Sequence, residues 1–81
     1  GVDEKKSEIL ASLKNNSPVD LMGKKIIEVK SFDGIKFICE DDSWLLLRFS
    51  GTESLLRVYA ESDSLKFVKE LIRYGRKLAH S

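Results

Sequence analysis

The sequence predicts an α+β domain in which a four-stranded antiparallel sheet, a meander, carries two helices on one face in helix-β-β-β-β-helix order. Apolar residues recur at helical spacing near both ends of the chain and alternate with polar residues between them. Asp33-Gly34 is a strong signal for a hairpin turn between two of those alternating runs. The length of 81 residues leaves room for one domain, residues 1–81.

The first helix is predicted from Ile9, Leu10 and Leu13, which share one helical face. Pro18 cannot continue a helix, because its ring removes the backbone N–H and clashes with the preceding turn. Residues 19–23 are therefore predicted to be an irregular connection to the sheet.

Four strands are predicted in the middle of the chain. Alternation places two of them around Ile27 and Ile35, and two longer runs predict strands over Trp44–Phe49 and Leu55–Glu61. The side chains expected to face the helices are Ile27, Val29, Phe37, Cys39, Leu45, Leu47, Phe49, Leu56, Val58 and Ala60.

The closing helix is predicted to begin after Ser62 or Asp63, either of which can act as N-cap. Its apolar stripe is Leu65, Val68, Ile72, Gly75 and Ala79, with Phe67, Leu71, Tyr74 and Leu78 beside it. Glycine inside a helix costs about 1 kcal/mol relative to alanine, so Gly75 predicts close packing of this helix against the sheet.

The composition excludes several classes of protein. Fourteen Lys and Arg against 13 Asp and Glu give a net charge of +1, so any anion site must be local rather than a general polyanion surface. Cys39 is the sole cysteine, which excludes an internal disulfide and, with no recognisable signal peptide, favours a cytoplasmic location. The longest apolar run, Trp44–Leu47, is far too short to span a membrane.

The most informative segment is Arg48-Phe49-Ser50-Gly51-Thr52-Glu53, which connects the last two strands. Burial of the apolar residues requires a register that pairs Phe49 with Leu56, and this register sets Arg48 directly across from Arg57 on the opposite face. Facing like charges are destabilising by some tenths of a kcal/mol, which Glu53 or a bound anion would remove.

The loop between the arginines offers donors for such an anion. Ser50 and Thr52 carry hydroxyl groups, and Gly51 permits a positive φ that turns successive amides inward as a nest. Guanidinium groups match phosphate oxygens in a bidentate fork. Because Ser-Gly-Thr is also ordinary turn chemistry and strand-end arginines are often merely solvated, the residues alone leave both interpretations open.

The run from Arg48 to Glu61 resembles the C-terminal signature of the α-D-phosphohexomutases, the phosphoglucomutase/phosphomannomutase family, roughly R-P-S-G-T-E-P-x-x-R-V-x-x-E. The resemblance covers about residues 20–80 and implies the fourth domain of a four-domain mutase. Phe49 and Ser54 stand where the family usually has prolines, which should make the free loop more flexible.

The resemblance implies that the domain binds the phosphate of a hexose phosphate or bisphosphate that is not being transferred. By position in the motif, Arg48, Ser50, Gly51, Thr52 and Arg57 would contact phosphate, and the motif's glutamate would shape the loop. No catalytic residue and no metal ligand are expected in this domain. The catalytic phosphoserine and Mg²⁺ of a 1,6-phosphosugar mutase would lie on other domains of the same chain.

Two other functions remain as alternatives. The basic stretch from Lys66 to Lys77 on the last helix could bind nucleic acid, although the near-neutral net charge argues against it and we expect no nucleic-acid partner. The uncovered sheet face, with Trp44 and Tyr59, could serve only to dock another domain. Asp41-Asp42 is expected to be a solvated turn and His80 a surface residue near the C-terminus.

Overall fold

The computed structural model describes residues 2–31, 34–49 and 56–79 of the chain. Over these ranges, a pair of helices flanks one antiparallel sheet in which the spatial order of the strands equals their order in the sequence. The elements are α1 (Val2–Asn15), β1 (Asp20–Leu21), β2 (Lys24–Lys30), β3 (Ile35–Cys39), β4 (Trp44–Phe49), β5 (Leu56–Glu61) and α2 (Leu65–Ala79). The α+β class and the meander are confirmed.

The predicted number of strands was wrong, because the described sheet has five strands rather than four. The segment predicted to be a connection contains β1, whose Asp20 and Leu21 pair with Lys25 and Lys24 of β2. Met22 and Gly23 form the turn with positive φ angles of 50° and 93°. Such angles suit a two-residue hairpin, but a non-glycine residue rarely adopts one, so Met-Gly gives a weak turn signal in sequence.

The second correction concerns which isoleucine of β2 faces the helices. The register against β3 shifts between Ile26 and Glu28, which is the mark of a β-bulge. As a result Ile26 packs against the core, whereas Ile27 is 59% exposed. Val29 pairs with Phe37, so its side chain lies on the same face of the sheet as the buried Phe37, yet it is 38% exposed.

The core lies between the sheet and the helices, as predicted. Its fully buried strand side chains include Phe37, Cys39, Leu45 and Leu47, while Val58 and Ala60 pack against them. The further buried members, which the core prediction did not include, are Ile35 and Leu21. The predicted core residues Phe49 and Leu56 have side chains outside the described portion of the structure.

Helix α2 begins at Leu65, after the two N-cap positions that were predicted, and its buried side differs from the predicted stripe. The hydroxyl oxygen of Ser64 accepts a hydrogen bond from the Phe67 amide at 3.2 Å, so Ser64 rather than Ser62 or Asp63 is the N-cap. The buried positions are Phe67, Leu71 and Gly75, and Leu65 is 70% exposed. Phe67 and Leu71, which were expected beside the apolar stripe, therefore lie at the centre of the buried face together with Gly75, a residue of the predicted stripe.

The expected close packing at Gly75 is confirmed. A Cβ atom at this position would lie 2.5 Å from Val58 Cγ1 and 3.0 Å from Leu45 Cδ1. Only a residue without a side chain allows α2 to approach β4 and β5 this closely.

Candidate functional site

The two arginines at the candidate site are cross-strand partners. β4 and β5 pair Leu45 with Ala60, Leu47 with Val58 and Arg48 with Arg57, which is the register that burial of the apolar residues predicts. Because Leu47 and Val58 face the core, the neighbouring arginines project from the opposite face, and both are exposed. Directly opposed side chains have Cβ atoms about 4.5–5.5 Å apart, so both guanidinium groups can reach one small anion.

The pair lies at the end of the hairpin that leads into the connecting loop. Only one further pair, Phe49 with Leu56, separates the arginines from residues 50–55. The predicted contacts Ser50, Gly51 and Thr52 and the loop-shaping Glu53 lie outside the described residues. The structure thus positions the two cationic members of the candidate site.

Gly34 is a positioning residue that the sequence analysis treated only as a turn residue. Its φ of 135° lies in a region that L-residues rarely adopt. A Cβ atom built there would lie 3.0 Å from the Arg48 Cα and closer still to the carbonyl oxygen of Leu47. Gly34, the residue before β3, therefore packs directly on the backbone that carries Arg48. It continues the register in which Ile35 pairs with Leu47, and the sequence analysis did not consider this contact.

The uncovered face of the sheet continues from the arginine pair as a mixed polar and apolar surface. The next row along the strands is Lys36, Leu46 and Tyr59, which are register partners across β3, β4 and β5. Trp44 follows in the row beyond, where its indole N–H donates to a carboxylate oxygen of Glu61 at 2.7 Å.

One side of the Trp44 ring is occupied within the chain. The Lys36 ammonium lies 4.3 Å from the ring centroid, within the range of a cation–π contact. A sugar stacking on that side would have to displace the lysine. Trp44 is half-buried on the uncovered face, and its contacts with Lys36 and Glu61 lie within the chain.

The acidic turn after β3 is held by interactions within the chain. Asp41 forms an ion pair with Lys24 of β2 and accepts a hydrogen bond from the Ser43 amide at 3.0 Å. These contacts lower the pKa of Asp41 to about 2, the Lys24 hydrogen bond being the largest cause. The turn therefore has a structural role, and it lies at the end of β4 remote from Arg48.

Cys39 is a core residue, as expected. Its thiol is fully buried and contacts the carbonyl oxygen of Lys24 at 3.6 Å. Burial, with a smaller contribution from Asp41, raises the pKa of this thiol.

Metal-binding clusters and membrane-spanning helices do not occur within residues 2–31, 34–49 and 56–79. These ranges contain no group of three or more His, Cys, Asp or Glu side chains placed to hold a metal ion. Over the same ranges, no helix has the length and apolar content needed to cross a bilayer. His80 lies outside the described residues.

Comparison with known proteins identifies the class of this domain. Residues 2–73 match the family described as the phosphoglucomutase/phosphomannomutase C-terminal domain, so the match includes α1 as well as the sheet. The chain belongs to this family.

Its relatives carry more than one enzyme name. A phosphoglucomutase/phosphomannomutase of Thermococcus kodakarensis is 39% identical over 59 residues, which cover 73% of this chain and 13% of that protein. A phosphoglucosamine mutase of Methanococcus vannielii is 34% identical over 79 residues, covering 98% of this chain and 17% of that protein. Another, of Methanococcus aeolicus, is 45% identical over 51 residues, covering 63% and 11%. The chain spans less than a fifth of the length of these curated relatives.

Proposed function

We propose that this chain is the phosphosugar-binding C-terminal domain of a cytoplasmic phosphohexomutase, an isomerase that interconverts hexose 1-phosphates and 6-phosphates. The observation that carries the proposal is the pairing of Arg48 with Arg57 on the uncovered face of the β4–β5 hairpin. Relatives of this chain are named phosphoglucomutase/phosphomannomutase and phosphoglucosamine mutase, and we therefore propose a sugar phosphate as the bound anion.

The geometry of the arginine pair supports the proposed role. Each guanidinium presents several N–H donors in a planar fork, and two forks on adjacent strands can bind different oxygens of one phosphate. Hydrogen bonds to charged groups contribute about 1.5–3 kcal/mol each, so a few of them from the two arginines could hold one phosphate. Ser50, Gly51 and Thr52 are proposed to complete the site from the loop.

In this proposal the domain orients substrate and performs no covalent step. Binding the phosphate that stays on the sugar holds the other end of the substrate in place, which lowers the entropic share of the barrier. The phosphoserine that exchanges phosphate and the Mg²⁺ ion are expected on other domains of the parent chain, as the resemblance alone implies. Release and rebinding of this one domain would permit the bisphosphorylated sugar intermediate, which the resemblance implies, to reorient.

The direct test is a titration of the ¹⁵N-labelled chain with glucose 6-phosphate, followed by amide chemical shifts. The largest shifts are expected at Arg48, Arg57 and residues 50–54, with no comparable shifts for unphosphorylated glucose. Shifts concentrated on α2 instead would contradict the proposal.

Variants of the chain distinguish specific binding of the sugar phosphate at Arg48 from attraction by the overall charge. Arg48→Ala should weaken sugar-phosphate binding at least about tenfold, since it removes at least one charge-assisted hydrogen bond. Arg48→Lys should recover some of the loss, because the charge returns without the planar fork. The matched control is Arg73→Ala on α2, which makes the same change in net charge. Equal weakening by Arg48→Ala and Arg73→Ala would show that the phosphate binds only through overall charge.

A further inference from the structure

The uncovered face of the sheet carries a second pair of like-charged cross-strand partners. β2 and β3 pair Lys30 with Lys36, in the same way that β4 and β5 pair Arg48 with Arg57. The residues on either side of Lys36 in β3 are buried in the core, so both lysines project from the face that carries the arginines. The lysine pair and the arginine pair therefore lie on one surface of the domain.

The two pairs lie close enough for one small molecule to reach both. Lys36 is the register partner of Leu46, two residues before Arg48 on β4, so the pairs are one row apart along the strands. Neighbouring strands are about 4.8 Å apart and two residues along a strand span about 7 Å, which places the centres of the two pairs about 12 Å apart. The flexible four-carbon stems of the lysines can shorten this distance. Gly34 lies opposite Arg48 on β3 and adds no side chain to this part of the face.

The ammonium groups of both lysines contact weak partners within the chain that a phosphate could replace. Lys30 Nζ is 3.9 Å from a carboxylate oxygen of Glu28, and both side chains are more than half exposed. Lys36 Nζ lies 4.3 Å from the centroid of the Trp44 ring. Exposed contacts of both kinds contribute little to stability, and directly opposed like charges repel each other. An anion between the lysines would pair with both ammonium groups.

The charge of this face changes sign one row further along the strands. Glu28 is the register partner of Ile38, and Trp44 in the same row is the register partner of Glu61. The two carboxylates repel a phosphate, so they limit anion binding to the end of the face that carries the two cationic pairs.

We propose that Lys30 and Lys36 form a second phosphate subsite, so that this domain binds a hexose bisphosphate at both cationic pairs at once. The inference rests on the proposed function, in which the arginine pair and residues 50–52 hold the first phosphate. The sugar ring would lie over the half-buried side chain of Leu46, between the two pairs.

Two subsites on one domain would distinguish a bisphosphate from a monophosphate. A monophosphate occupies one pair only, whereas a bisphosphate makes the second contact as an intramolecular step and so binds more tightly. The domain would therefore retain the bisphosphorylated intermediate that the resemblance implies and release a monophosphate product more readily.

The test compares glucose 1,6-bisphosphate, glucose 6-phosphate and inorganic pyrophosphate in amide-shift titrations of the ¹⁵N-labelled 81-residue chain. Pyrophosphate carries two directly joined phosphates, so it cannot span the two pairs. The bisphosphate is expected to bind at least about tenfold more tightly than either of the other two, a factor equivalent to one charge-assisted hydrogen bond.

The fluorescence of Trp44 provides a second readout. It is the sole tryptophan of the chain, and its emission should change when Lys36 leaves the ring to bind phosphate. We expect this change with glucose 1,6-bisphosphate and not with glucose 6-phosphate. The same response to both ligands would show that the emission does not report the second subsite and would contradict the proposal.

Two double variants with equal changes in net charge decide the location. Lys30→Gln with Lys36→Gln should reduce the preference for the bisphosphate to about twofold, which two equivalent phosphates provide by number alone. The affinity for glucose 6-phosphate should change by less than about twofold, which also shows that the variant keeps its fold. Lys66→Gln with Lys69→Gln removes two exposed lysines of α2 and should leave the preference unchanged.

Different results overturn the proposed function and this inference. Absence of shifts at Arg48, Arg57 and residues 50–54 with either sugar phosphate would overturn both. Binding of glucose 6-phosphate at these residues, together with equal affinity for the bisphosphate, would overturn the second subsite alone. Equal effects of the two double variants, or pyrophosphate binding as tight as that of the bisphosphate, would do the same.

Discussion

Replacing Gly34 by alanine should disturb both the stability of the domain and the position of Arg48. The backbone at Gly34 has a φ of 135°, in a region where a non-glycine residue costs about 1–3 kcal/mol. The added methyl group would also meet the backbone of β4, at 3.0 Å from the Arg48 Cα. Because its neighbours are backbone atoms, no side-chain rotation can relieve the overlap, which adds about 1–3 kcal/mol.

Gly23 provides a matched control for this substitution. It also has a positive φ, of 93°, but a Cβ atom built there has nothing within 4 Å. Gly23→Ala should therefore show the conformational cost without the overlap. Alanine also lowers the conformational entropy of the unfolded chain, and this contribution, which favours folding, is the same in both variants and cancels from the comparison.

The assay is urea unfolding followed by circular dichroism, with both variants and the parent chain in the same concentration of a stabilising osmolyte. We expect Gly34→Ala to lower the free energy of unfolding by at least about 1 kcal/mol more than Gly23→Ala. A domain this small is stable by only a few kcal/mol, so partial unfolding without osmolyte is expected for the Gly34 variant. Equal losses for the two variants would refute the claimed contact between the turn and β4.

Three further predictions concern packing and titration. Gly75→Ala should lower the free energy of unfolding by about 1–3 kcal/mol even though alanine favours helices, because the methyl group would lie 2.5 Å from Val58 Cγ1; a rise would contradict the packing. Asp41 has a lowered folded pKa, so its stabilising contribution is present above the unfolded pKa near 3.8 and is lost as pH falls toward about 2. NMR titration of its carboxyl group checks this, and Lys24→Ala should return the pKa toward its ordinary value. Cys39 should react with a thiol reagent only as fast as the domain opens, since its thiol is buried and its pKa raised; rapid labelling of the native chain would disprove this.

The sequence predicted those features of the fold that are set by burial. The pairing of β4 with β5 follows from the rule that Leu45 and Leu47 must face the same side as Val58 and Ala60, and a shift by one residue would expose all of them. For the same reason the juxtaposition of Arg48 with Arg57 could be derived from residue types and spacing alone. The chemistry of the loop between them remains a prediction.

The predictions that were wrong, for β1, β2 and α2, failed because of local features of the chain. The bulge in β2 reverses the alternation between Ile26 and Ile27, and the two adjacent isoleucines give equal apolar signals. The short strand β1 depends on a positive φ at Met22, which sequence patterns rarely indicate. In α2, apolar residues occupy about half of the helix circumference, so periodicity alone could not choose which part of that arc faces the sheet.

The packing of Gly34 on β4 is a contact that the sequence analysis did not predict. It joins a turn to a strand more than ten residues later in the chain, and its effect is exerted through backbone atoms. The register of β3 with β4 places Gly34 opposite Arg48, but neither residue type nor spacing shows how closely the two backbones approach. The three-dimensional structure is needed to recognise Gly34 as a positioning residue.

If the two arginines bind phosphate as proposed, their placement on separate strands would link ligand binding to folding. Neither strand alone holds both guanidinium groups, so an anion that engages both selects chains in which the hairpin is formed. By mass action such a ligand adds RT ln(1 + [L]/Kd) to the free energy of unfolding, about 2.7 kcal/mol at a hundredfold excess over Kd. For a domain of this size that gain rivals its intrinsic stability. The level of sugar phosphate would then govern how much of this domain is folded, as well as how much of it is occupied.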